Sequence, residues 1–197
     1  MVSCLRRMGL FGCLFLFVLY GTSGVCSAAE STVQWTFFKT RYVNLLYTDV
    51  GHLKRLNKKI RYSPGGSSFS SFFSSNDKTD WQEAFKNKIN ALFEKVQLIL
   101  DMRKAMRKVK IMVFADPDAL HREYFRIFKS RKAPRGWYIF KYNTIYINVK
   151  DINEGMLAHE MAHAIIDNFM SVRPPRATAE ILARYVDKHL LEEVKQY

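Results

Sequence analysis

Apolar positions recur along this chain with two different periods, and the alternation between them sets out its elements. Val33 to Tyr47 is rich in β-branched and aromatic residues (Trp35, Phe37, Phe38, Tyr42, Val43, Leu45, Leu46, Tyr47), which predicts one long or two short strands. Leu53, Leu56 and Ile60 then fall at helical spacing with lysines and arginines between them, a short amphipathic helix over Gly51 to Ile60. A Ser-rich stretch from Ser63 to about Asn76 reads as a loop. Thr79, with Gln82 three residues later, opens the longest predicted helix, running to about Met106. Its face is Trp81, Phe85, Ile89, Leu92, Phe93, Val96, Ile99 and Leu100, a main core element.

The second half repeats the alternation. Val109 to Ala115 predicts a strand, and Asp116-Pro117 caps and opens a helix to about Lys129, whose stripe Tyr124, Phe125 and Phe128 reads as core. A basic turn over Arg131 to Gly136 leads to two strands, Trp137 to Lys141 and Thr144 to Val149, joined by a hairpin at Tyr142-Asn143. Asp151 or Asn153 is placed to cap the next helix, which is apolar on almost every side and is therefore predicted to be buried. Arg173-Pro174-Pro175 breaks it, and a last helix from Ala177 to about Lys195 buries Ala179, Leu182, Ala183, Val186, Leu190 and Val194. Helices and strands in this order predict an α+β domain.

The first 29 residues change the picture of where the protein works. Arg6 and Arg7 precede an apolar run from Leu10 to Tyr20, and Ser27-Ala28-Ala29 offers small residues for cleavage, the pattern of a signal peptide. Residues 30–197 are then expected to form a single domain, with residues 30–115 as its N-terminal part and 116–197 as the part carrying the site. Cys4, Cys13 and Cys26 all fall in the leader, so the exported chain would have neither disulfide nor thiolate ligand. With no Asn-x-Ser/Thr acceptor in the sequence, a bacterial periplasmic or secreted protein fits better than a glycosylated eukaryotic one. Loss of Arg6 and Arg7 leaves 29 basic against 18 acidic residues. That excess favours contact with anionic envelope surfaces, and no nucleic-acid motif accompanies it.

The buried helix carries the chemistry. His159-Glu160-Met161-Ala162-His163 sets two imidazoles four residues apart, about 40° round a helix, where both can face one metal ion. Glu160, about 100° from His159, can reach a water at that ion without being a ligand. The pattern alone equally suits two core histidines held by backbone or carboxylate groups. A catalytic zinc asks for a third ligand, and Glu180 is the candidate, sixteen residues beyond His163 and beside the apolar stripe of the last helix. A glutamate near a helix N-terminus is also favoured by the macrodipole alone. Asp167 either orients His163 or is an exposed helix residue. Tyr185 and His189 are candidates to stabilise an oxyanion; His52 and His121 are read as structural.

These residues resemble the gluzincin zinc metallopeptidases, in particular the small bacterial peptidase MA-like proteins. Their pattern is His-Glu-x-x-His followed by Pro-x-Trp-x-x-Glu-Gly-x-Ala-x-Tyr, matched here at Pro175, Glu180, Ala183 and Tyr185, with Leu182 at an open position, and departed from at Ala177 and Ile181. The specific likeness covers about residues 144–185. It implies a zincin-like fold, with a small mixed sheet packed on the active-site helix, a C-terminal helix supplying the third ligand, and Thr144 to Val149 near the sheet edge that receives an extended peptide. It further implies zinc held by His159, His163 and Glu180, and Glu160 as general base in hydrolysis of a peptide or protein substrate. The alternative is a non-catalytic, zinc-containing envelope binding protein on a peptidase scaffold.

Overall fold

The computed structural model describes residues 34–62 and 80–194, all within one compact unit. The expected leader, the three cysteines and the Ser63 to Asn76 loop lie outside them. The fold is α+β: a five-stranded mixed sheet with five α-helices among the described residues. Strands β1 (Thr36–Lys39) and β2 (Val43–Tyr47) form an antiparallel pair, so the aromatic N-terminal run is two short strands. Helices α1 (Val50–Lys59) and α2 (Asp80–Ile99) lead to β3 (Val109–Phe114), parallel to β2. Helix α3 (Pro117–Phe128) follows, then the hairpin β4 (Gly136–Ile139) and β5 (Thr144–Asn148). Helices α4 (Glu154–Phe169) and α5 (Arg176–Val194) close the chain.

Strand order is β1-β2-β3-β5-β4. Register explains the two layers. Leu45, Ile111 and Ile145 stand side by side across three strands, all fully buried against α1, α2, α4 and α5. The row Leu46, Met112, Tyr146, Trp137 faces the other way, where α3 adds Leu120 and Tyr124. Of the predicted α3 stripe only Tyr124 is packed there; Phe125 and Phe128 are nearly half exposed, because α3 covers the sheet with its Leu120, Tyr124 and Ile127 side.

Two boundaries differ from expectation. α2 stops at Ile99, not near Met106, because Asp101 adopts the left-handed conformation (φ 51°) and the Met102 and Asp101 N–H groups return to the carbonyls of Gln97 and Leu98. Those paired bonds form a Schellman motif, which satisfies the last carbonyls and turns the chain out. The Gln97 amide then donates to the carbonyls of Met102 and Lys104 and holds the exit. β4 ends at Ile139, and Phe140–Tyr142 form a 3-10 turn before Asn143, which is also left-handed (φ 46°). The Thr144 to Val149 strand lies next to a sheet edge, as expected, and the edge itself on that side is β4: among the described residues β5 is paired on both sides, and all five of its residues are buried. A strand between two neighbours has no free backbone groups to offer a peptide.

α2 buries Phe85, Ile89, Leu92, Phe93 and Val96 completely, and Phe93 stacks on Tyr42 with ring centroids 4.9 Å apart. Truncating a fully enclosed phenylalanine removes its transfer energy and leaves a cavity. Phe93→Ala should therefore lower stability by about 3–5 kcal/mol in urea unfolding. A loss below about 1 kcal/mol would mean that α2 is not the core element described.

Candidate metal centre

α4 starts where the sequence offers a cap: the Asn153 side chain accepts from the Met156 N–H at 2.9 Å. Glu154, in the first turn, accepts from the backbone N–H of Tyr62, tying α4 to the exit of α1. The helix then buries Leu157, Ala158, Met161, Ala162, Ala164, Ile165, Ile166 and Asp167, leaving His159, Glu160 and His163 partly covered along one side.

α5 packs on that side. Small residues at the contact, Ala158, Ala162, Ala179 and Ala183, are all buried and let the two helices come close. The reversal between them is held by an ion pair: buried Asp167 accepts from Arg173 Nε at 3.0 and 3.2 Å, and the same guanidinium lies over the Phe140 ring. Asp167 is thus neither exposed nor bonded chiefly to His163. It fixes the turn, and its charge acts on His163 from there.

The result is a convergence of three donors. The Nε2 atoms of His159 and His163 are 3.3 Å apart, with the rings nearly perpendicular. Glu180 brings one carboxylate oxygen to 3.8 Å from His159 Nε2 and the other to 3.4 Å from His163 Nε2. Neighbouring ligands around a tetrahedral ion bonded at about 2.0–2.1 Å stand about 3.3–3.4 Å apart, so the group can hold a metal ion without rearranging the helices. Two imidazoles and a carboxylate are also the donor set of one class of catalytic zinc sites.

Electrostatics favour the ligand forms. Burial, helped by His159, pushes the His163 pKa down against the opposing charges of Glu180 and Asp167, which favours the neutral imidazole. Burial raises Glu180, but the Arg184 hydrogen bond and the two imidazoles outweigh it and hold the carboxyl below its ordinary range. Glu160 goes the other way. Burial, with the charge of Glu180 adding, pushes it up to about 8 despite a hydrogen bond from the Tyr138 backbone N–H.

A groove of about 220 Å³ runs beside the cluster, lined by Arg135, Gly136, Met156, His159, Glu160 and Asp187. Gly136 leaves room there, since a Cβ at that position would meet Glu160 Cγ at 3.8 Å and the Tyr146 carbonyl oxygen at 3.4 Å. Tyr185 is not among the lining residues. About 140° round α5 from Glu180, it is half exposed and stacks on His189, whose Nδ1 bonds to the Tyr185 carbonyl. His52 is buried in α1. Sequence reasoning passed over Arg135 and Asp187. Asp187 was findable, seven residues beyond Glu180 on the same helical side, whereas the approach of Arg135 depends on how β4 meets α4.

A larger open hollow of about 800 Å³ lies elsewhere, lined in part by Arg41, Tyr42, Glu94, Lys95, Arg103 and Lys104. It contains none of the three candidate ligands. Comparison of the chain with protein-family models, curated proteins and solved structures finds no match.

The raised pKa of Glu160 has a consequence for stability in metal-free protein. Between its ordinary 4.5 and about 8, the folded state keeps a proton that the unfolded chain releases, so stability falls as pH rises through that window. Glu160→Gln removes the titration. The melting temperature of metal-stripped Gln variant relative to parent should climb by several degrees from pH 5 to pH 8.5; an offset independent of pH would contradict the burial described.

Proposed function

We propose that the chain is an exported zinc metallopeptidase of the gluzincin type, with His159, His163 and Glu180 as metal ligands and Glu160 as general base. The observation that carries this reading is the convergence of three donors from two helices beside a groove that also contains Glu160. Zinc, when bound, supplies Lewis acidity toward a carbonyl oxygen and acidifies water toward neutral pH. The chain's own residues do the rest. Glu160 is sheltered enough for its carboxyl to exchange a proton near neutral pH, taking one from water and passing it to the leaving amine. β4, an edge strand among the described residues, offers a backbone to which an extended peptide can add. α5 contributes a ligand, and the Asp167–Arg173 pair keeps α5 in place.

Export to the bacterial envelope and the zincin-like assignment of the fold belong to the same proposal. A second reading has one observation of its own. The basic side chains of Arg41, Lys95, Arg103 and Lys104 around the larger hollow suit an anionic envelope polymer, as expected of a binding protein that keeps zinc without turnover.

Glu160→Gln separates the two. Loss of the proton carrier should lower peptide hydrolysis by about 10²–10⁴-fold with zinc content unchanged, read on a quenched-fluorescent peptide mixture alongside elemental analysis. Hydrolysis that persists at the parent rate would remove Glu160 from the mechanism, and a parent that binds zinc and anionic polymer without cleaving peptides favours the second reading.

A further inference from the structure

Two charged side chains in the groove have no part in the chemistry above. Arg135, at the start of β4, is exposed at the mouth; Asp187, on α5, is half-buried. No ion pair joins them or ties either to another described residue. Asp187 is placed with some care. Being seven residues after Glu180, it shares that residue's side of α5, so one helix sends one carboxylate to the ligand cluster and another into the groove. Its Oδ1 lies where a Cβ at Gly155 would be only 2.5 Å away, so any side chain at 155 would push Asp187 out of position.

We propose that Asp187 is a specificity-determining residue: its carboxylate selects substrates with a cationic side chain, such as that of lysine, in the residue just on the leaving-amine side of the cleaved bond. This rests on the peptidase reading. The side of the bond follows from topology. A peptide adding antiparallel to the β4 edge lays its C-terminal portion against the start of that strand, which is Gly136, and Glu160, which would protonate the leaving amine, lines the same groove. Met156 and Gly136 give the walls an apolar stretch on which a methylene stem can lie, with the carboxylate beyond it for the charged head. The groove, of about 220 Å³, has room for one long side chain. In a chain with a formal net charge of +13, the half-buried Asp187 carboxylate sets a negative charge inside the groove, whereas Arg135 is exposed at its mouth, where water and salt screen it.

The test is digestion of a mixed peptide library by zinc-loaded protein, with new N-termini read by mass spectrometry, followed by kinetics on matched peptides with lysine or norleucine after the cut. Lysine and arginine should be enriched at that position. Asp187→Asn should raise KM for the lysine peptide by about tenfold or more, and Asp187→Lys should shift the preference toward aspartate and glutamate. Cleavage by the parent without a basic preference, or with one that survives in the Asn variant, overturns the proposal and leaves the peptidase reading standing. If the parent cleaves nothing, that reading fails, and NMR titration with lysinamide against norleucinamide decides the subsite: selective binding of lysinamide, lost in Asp187→Asn, supports it, and equal or absent binding overturns it.

Discussion

A helix buried on nearly every side must find a partner inside the protein for each polar group it carries, and α4 carries many. An unsatisfied buried polar group costs on the order of 1–3 kcal/mol, so the solutions found for α4 fix the elements around it. Glu154 is met by the Tyr62 N–H at the exit of α1, Glu160 by the Tyr138 N–H of the edge strand, and Asp167 by Arg173 in the turn to α5. Asn168 donates to the Asn143 side chain, whose own amide bonds the Lys108 carbonyl before β3. His159 and His163 are met by Glu180 of α5. These polar residues together tie α4 to the exit of α1, to β4, to the hairpin before β5, to the following turn and to α5, and the helix is a hub.

The same arrangement contains a conflict. Glu160 and Glu180 repel each other, and two imidazole nitrogens stand 3.3 Å apart with neither offering the other more than one hydrogen bond. Local disagreement of this kind, in a chain whose other choices are consistent, is what the proposed function accounts for. Under the proposed function, a divalent cation between the three donors would resolve it: the imidazole lone pairs would gain an acceptor, and the Glu180 charge would be offset before it acts on Glu160. Arg184 supplies part of that neutralisation in its absence, through the exposed side of Glu180.

Much of this was legible in the sequence, for reasons that differ by element. Helical spacing and the Asn153 and Asp116 caps located α3, α4 and α5 because amphipathic period and capping are local properties. The convergence of His159, His163 and Glu180 was legible because a motif of particular residue types at helical spacing asks for a third polar partner from a neighbouring helix. What failed was decided over longer range or by single backbone conformations. Nothing around Asp101 announces a helix end, since the residue that turns left-handed there is not glycine. The expectation placed Thr144 to Val149 only near an edge, and that β4 is the edge strand itself depends on β3 pairing with β5 across an intervening helix and strand. The partner of Asp167 lies past the end of its own helix, so periodicity could suggest His163 but not Arg173.

The most direct test of the account is zinc-edge X-ray absorption fine structure on the purified protein, loaded with one equivalent of zinc and dialysed. The account predicts retained zinc with two imidazole shells and oxygen donors at about 2.0–2.2 Å, and loss of most of the metal in Glu180→Ala. A parent that releases its zinc on dialysis, or holds it in an all-oxygen shell without imidazole scattering, would contradict the central claim.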